Sequence, residues 1–384
     1  MKFMINCSWQ SILALLISTF ICNAQQSSEL LAYLNGNSIN PKDYIIQKFK
    51  TQDIVLLGED HGVQQNLLFV QSLIPALYAQ GVFHIGMEFG ASEDQALLDS
   101  LISAPAYSED VARRIMFHYN VAWAFLEYRD VYKKAWEFNR TLPSGARKFR
   151  IINLSYHFNW EGFEAPRTPE NMALVFHKGT ADKYRAELIE KEIFSKGEKM
   201  LALVGTPHAY TKYANGQLLY NNDNFCSYDN NWLGNRLLRN HPGKVFNILL
   251  HQPFPNKYGR QPYLLSPAHG TIEEAMQQLK NQPLAFDLFS APATALRDDS
   301  YYSICYPDFT LVQFFDGYIF LAPINELKNC TIDEDFITAA NIDQALKESP
   351  DPDWHGRQQT LEEFKEFVRS KASIEKRYAG VGGD

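Results

Sequence analysis

The chain has 384 residues, with 36 Lys and Arg against 44 Asp and Glu and a formal net charge of -8. This mildly acidic balance, with no basic stretch interleaved with aromatics, argues against a nucleic-acid partner. Hydrophobic residues make up 46% and aromatics 14%, enough to fill a sizeable core, so the chain reads as globular.

In chain order, Lys2, the apolar run Ile12 to Ile21 and Cys22-Asn23-Ala24 follow the charged, apolar, small-residue order of a secretory signal. The apolar run is about ten residues, too short for a spanning helix of roughly twenty. Cleavage is expected after Ala24, giving a periplasmic or secreted protein without a transmembrane span. A lipid anchor on Cys22 is the lesser alternative, because Ile21 precedes it where a small residue belongs.

Asp53 to Gly58 is an apolar, branched run ending at a glycine, which reads as a buried strand entering a loop. Leu67, Leu68, Val70, Leu73, Ile74 and Leu77 then recur at helical spacing between Gln64 and Gln80, and Val82 to Met87 is a second buried strand. Strand, helix, strand over so short a span is a βαβ unit with parallel strands. Further strands fit Phe149 to Leu154, Met200 to Val204 and Val245 to Leu250, with helices over Val121 to Asn139 and Ala181 to Phe194. The pattern predicts an α/β fold over residues 45–255, a mainly parallel central sheet flanked by helices.

After His251 the texture changes. Prolines cluster, and short strands are expected at Leu284 to Phe289, Thr310 to Phe315 and Tyr318 to Ala322. A breaker cluster, Ser349 to Asp353, precedes a charged helix at Leu361 to Ile374. Residues 256–384 therefore form a C-terminal extension or subdomain of short strands and a terminal helix. Cys226, Cys305 and Cys330 remain after signal removal. One disulfide is permitted, with Cys305 and Cys330 as the expected pair; buried reduced cysteines are an equal alternative.

The residues able to carry chemistry lie at strand ends, where open α/β sheets bind ligands. Glu59 and His61 follow the first strand in Gly58-Glu-Asp-His61, Glu88 ends the second, and His208 follows a later one in Gly205-Thr-Pro-His208. Each alone reads as easily as a structural residue, and the glycines as tight-turn positions. Together they form one polar site of two carboxylates and two imidazoles. Such a set suits a divalent metal, with zinc, manganese, cobalt and iron equally accommodated, or metal-free general acid–base catalysis. Two carboxylates packed together need a metal, a proton or a cationic group between them. Convergence requires atoms of all four residues within roughly 4 to 8 Å of one another.

The stretch from Val55 to about Leu101, Val-Leu-Leu-Gly-Glu-Asp-His-Gly, a helix, then Gly-Met-Glu-Phe-Gly, resembles the superfamily of erythromycin esterases, ChaN-like haem-binding proteins and Tiki/TraB proteins. The second Gly-x-x-His strengthens the Tiki-like likeness, and the resemblance extends over about residues 50–255. It implies Glu59, His61, Glu88 and His208 as the site. The Tiki branch implies metal-dependent peptide hydrolysis and the esterase branch metal-free ester hydrolysis with a histidine base. The ChaN branch implies haem held by histidine and tyrosine, but Phe69 stands where that tyrosine would fall, about two turns after His61. The implied function is an exported hydrolase of an ester or amide bond in a small molecule or peptide. The alternative is a non-catalytic haem- or metal-binding protein for uptake.

His157 and His251 also follow strands and are candidates for substrate binding. Arg260 and Arg297 are candidate clamps for a substrate carboxylate or phosphate. His118 reads as a surface or core residue, and His269 lies in a turn. No Gly-x-Ser-x-Gly elbow, phosphate-binding Walker loop or dinucleotide glycine pattern is present, which disfavours a serine hydrolase, an NTPase and a Rossmann dehydrogenase.

Overall fold

The computed structural model describes residues 25–160, 163, 167–348 and 360–381; the expected signal segment and the breaker cluster lie outside them. Eleven strands occur among these residues: β1 Ile54–Glu59, β2 His84–Ala91, β3 Arg150–Ser155, β4 Met200–Gly205, β5 Asn215–Leu218, β6 Cys226–Asp229, β7 Val245–Leu250, β8 Phe254–Pro255, β9 Leu264–Leu265, β10 Leu284–Asp287 and β11 Gly317–Phe320. Seven form one sheet in the order β10-β11-β7-β1-β4-β2-β3. All neighbouring pairs in it are parallel except β10 with β11.

The continuous apolar runs are explained by burial on both faces. Val55 and Leu57 of β1 point into one core and Ile54 and Leu56 into the other. The Gln64–Ala79 and Leu126–Thr141 helices cover the first face, while Ala181–Glu192 and Leu233–Asn240 pack on the second. As expected, β1 and β2 share a sheet and both run parallel to β4, which lies between them. The carboxyl ends of three neighbouring strands thus lie together at one edge.

β10 and β11 extend this same sheet beyond β7, so strands from the C-terminal part complete the central layer. Thr310 to Phe315 differs from expectation. It holds a short helix, Leu311–Phe314, because Thr310 and Gln313 cap its start, with the Thr310 N–H donating to Gln313 Oε1 at 2.8 Å. Leu311 and Phe314 are buried, in a helix rather than the expected strand. The expected helix at Val121 begins only at Leu126, and the terminal helix spans Leu361–Ala372.

The disulfide joins Cys226 to Cys305, and Cys330 is a buried free thiol, which corrects the expected Cys305–Cys330 pair. Cys226 lies in the β5–β6 hairpin, whose Gly216 packs against Ile304 and Cys305. The bond therefore fastens the hairpin to the later segment, a proximity set by tertiary packing. Among the described residues, no helix is long and apolar enough to cross a membrane.

Candidate functional site

Glu59 is the last residue of β1, and its side chain is fully buried. Its Oε1 lies 3.2 Å from His61 Nδ1 and accepts a hydrogen bond from the Tyr128 hydroxyl at 2.8 Å. The Tyr128 oxygen in turn accepts from the Gly62 N–H at 3.0 Å. Burial raises the Tyr128 hydroxyl well above its ordinary value, so it remains a donor. Phe89 and Trp123 stack with centroids 4.5 Å apart and both present themselves to the His61 ring, at 5.0 and 5.5 Å.

Glu88 lies within β2 rather than beyond it. Its Oε1 is 3.2 Å from His208 Nε2 and accepts from Arg185 at 3.0 Å, and its Oε2 accepts from the Gly205 N–H at 2.7 Å. His208 Nδ1 is held by Asp182 at 2.7 Å. Arg185 and Asp182 both come from the Ala181–Glu192 helix, three residues apart and so on one face of it.

The two pairs meet at Gly205. A Cβ there would sit 2.8 Å from His61 Nε2 and 3.5 Å from Glu88 Oε2. The backbone at Gly205 has φ of -57°, so a left-handed turn is not its reason for being glycine. Close approach of the His61 ring is. Glu59, His61, Glu88 and His208 therefore lie around the carboxyl ends of β1, β4 and β2.

Charge explains the protonation states. Burial pushes Glu59 up, and its contacts with His61 and Tyr128 only partly offset this. Burial would push His61 down, but Glu59, Glu88 and Asp60 outweigh it and hold the imidazole above its ordinary value. Burial would likewise raise Glu88, yet Arg185, His208 and His61 hold it well below the usual carboxylate range. His208 is opposed by burial and by Arg185, but Glu88 and Asp182 bring it up to about 9. The cation demanded by two adjacent carboxylates is thus supplied by the protein, through Arg185 and His208.

That arrangement bears on the metal and haem expectations at these four residues. Both His208 nitrogens and both Glu88 oxygens are committed to protein partners, which leaves that pair no free donor for a metal ion, whereas Glu59 Oε2 is buried without a hydrogen-bond partner. For haem, Phe69 packs as a half-buried ring against the core, and Tyr128, the tyrosine beside Glu59, has its hydroxyl bound to Glu59 and Gly62. The His/Tyr pair implied by the ChaN resemblance is not assembled at His61.

The remaining candidates fall elsewhere. His251 is buried, with Nδ1 2.5 Å from the Tyr318 hydroxyl and Nε2 2.7 Å from Glu273, a structural role in the core. Arg260 is exposed in a loop against the Tyr258 ring, and Arg297 is exposed and paired with Asp308 at 3.0 Å. Neither joins the four. His269 lies 3.7 Å from Asp299. His157 bonds Asp94 together with His118. Sequence reasoning missed Arg185, Asp182, Tyr128 and the Phe89–Trp123 wall. It also missed the C-terminal contribution: Arg377 and Tyr378 both bond Asp60 Oδ2, at 2.5 and 2.6 Å, between Glu59 at the end of β1 and His61 after it.

No family model and no curated protein matches the sequence. Among solved structures, a Bacillus cereus protein is similar at 12% identity and a TM-score of 0.51, with 81% of this chain and 99% of that one covered. A succinoglycan biosynthesis protein is similar at 12% identity and a TM-score of 0.50, covering 79% of this chain and 98% of the other. ChaN of Campylobacter jejuni, described with cofacial haem, aligns at 13% identity and a TM-score of 0.35 over 55% of this chain and 86% of its own. At these identities the first two likenesses establish a shared fold.

Proposed function

We propose that the protein is a hydrolase of an ester or amide bond that works by metal-free acid–base catalysis, with His61 as general base. The observation carrying this reading is the pair of carboxylate–imidazole couples on either side of Gly205, one of them neutralised by buried Arg185. With Glu59 ionised, His61 Nδ1–H donates to Oε1 and the lone pair resides on Nε2. That nitrogen takes a proton from water as the water oxygen bonds to the substrate carbonyl carbon. When the tetrahedral intermediate collapses, the carbon–oxygen or carbon–nitrogen bond breaks and His61 returns the proton to the leaving group. Arg185 and protonated His208, paired with Glu88 and Asp182, hold the Glu88 carboxylate ionised beside the reacting centre. Glu59, Tyr128 and Asp182 are positioning residues for the two imidazoles.

Substrates in this reading are small molecules or peptides. The Lys2 to Ala24 leader pattern and the Cys226–Cys305 disulfide support an exported, periplasmic or secreted location. The test is turnover of nitrophenyl esters and short peptide amides by chelator-treated protein. Turnover without added metal is expected. Turnover restored only by a metal would overturn the metal-free mechanism. Inactivity on every substrate, with a Soret band on haemin titration that His61→Ala removes, would favour haem binding instead.

A further inference from the structure

Asp94, His118 and His157 form a second titratable cluster that the proposed chemistry does not use. They come from three elements: the turn Ser92–Asp94 after β2, the penultimate position of the Glu109–Tyr119 helix, and the segment after β3. His118 Nδ1 lies 3.2 and 3.1 Å from the two Asp94 oxygens, and His157 Nε2 lies 3.1 Å from Asp94 Oδ2. One ligand atom from each residue falls within 4.8 Å of the other two, the only such set of three found among the described residues.

These spacings have a coordination meaning. Ligand atoms about 2.1 Å from a tetrahedral ion are separated by roughly 3.4 Å, close to the two Asp94–imidazole contacts, while the imidazole–imidazole edge lies within 4.8 Å. Asp94 has two imidazoles from distant elements turned on it, and its own side chain is 11% exposed, while those of His118 and His157 are 32% and 39% exposed. The mouth is open to solvent, and the neighbouring cation Lys178 is paired with Glu93.

We propose that Asp94, His118 and His157 bind a divalent first-row cation of the zinc class, with one coordination position left for water or an anionic substrate group. Tyr119, the residue after His118, packs on Phe89 at 5.7 Å, and Phe89 faces the His61 ring at 5.0 Å. Metal binding here is independent of the hydrolytic reading.

The test is calorimetric titration of the untagged, chelator-treated full chain with zinc, supplemented by the visible absorption of the cobalt form. One ion per chain is expected, with binding roughly a hundredfold weaker in His118→Ala and in His157→Ala and unchanged in His208→Ala. Circular dichroism of each variant checks the fold, and since the two histidines lie on different elements, a folding defect in one leaves the other to decide. No stoichiometric binding by the wild type, binding retained in both variants, or binding lost in His208→Ala would each overturn the proposal.

Discussion

Gly205 lies so close to His61 that a Cβ on it would come within 2.8 Å of both Cε1 and Nε2 of the ring. The φ of -57° is open to alanine, so Gly205→Ala tests the contact and not the backbone. The ring must turn away from Glu59, and kcat/KM is expected to fall by roughly a hundredfold, the scale of a misplaced catalytic group. Overpacking should cost about 1 to 3 kcal/mol, read from urea unfolding. Wild-type activity in this variant would mean that His61 has no required position.

Glu59→Gln keeps the shape of the β1 terminus and removes the charge that lifts His61. The His61 imidazole should then titrate lower, moving the acid limb of the kcat/KM profile to lower pH. The rate at neutral pH should drop by about 10 to 1,000-fold as the base weakens and loses its orientation. An unmoved acid limb would show that His61 is not the titrating base.

Arg185→Met leaves Glu88 buried without its guanidinium partner, and a loss of about 3 to 5 kcal/mol is expected in denaturant unfolding. The pH dependence has two signs. Glu88 is held below 4.5 in the folded protein, so its contribution is present above pH 4.5 and lost as pH falls further. His208 is raised from 6.5 to about 9, so its contribution is complete below pH 6.5 and lost on rising to about pH 9. His208→Gln should flatten the alkaline decline, worth roughly 1 to 3 kcal/mol. An alkaline decline of equal size in that variant would contradict the assignment.

Reducing the Cys226–Cys305 bond frees a loop closed over 79 residues, a loss of about 4 kcal/mol on chain-entropy grounds. Thermal unfolding should fall similarly in Cys226→Ser and Cys305→Ser, and the double variant should be no worse than either. Cys330→Ser should leave the bond intact, as peptide mapping under non-reducing conditions would show.

The four strand-end residues were legible because apolar runs stop at them, and a parallel sheet carries such stops to one edge. Arg185 was not, because seven of the twelve residues of the Ala181–Glu192 helix are charged, and nothing short of the three-dimensional packing distinguishes the arginine turned inward. Its one sequence signal is position: Arg185 and Ala186 lie a turn before Ile189 on the stripe that is buried. Arg260 and Arg297 had no such support, and both are exposed. The glycines of Gly58-Glu-Asp-His61 and Gly205-Thr-Pro-His208 suggested tight turns. At Gly58, as at Gly205, the reason is close packing: a Cβ would meet Phe315 at 2.9 Å, a contact that sequence spacing does not disclose. The Leu311–Phe314 helix was hidden because a short buried apolar run has no period long enough to separate helix from strand.

The most direct test of the central claim is kcat/KM for a turned-over ester or amide, compared between the wild type and His61→Ala under one set of conditions. General-base catalysis by His61 predicts a fall of about 100 to 10,000-fold in a variant that remains folded. A folded His61→Ala protein that hydrolyses the substrate at the wild-type rate would contradict it.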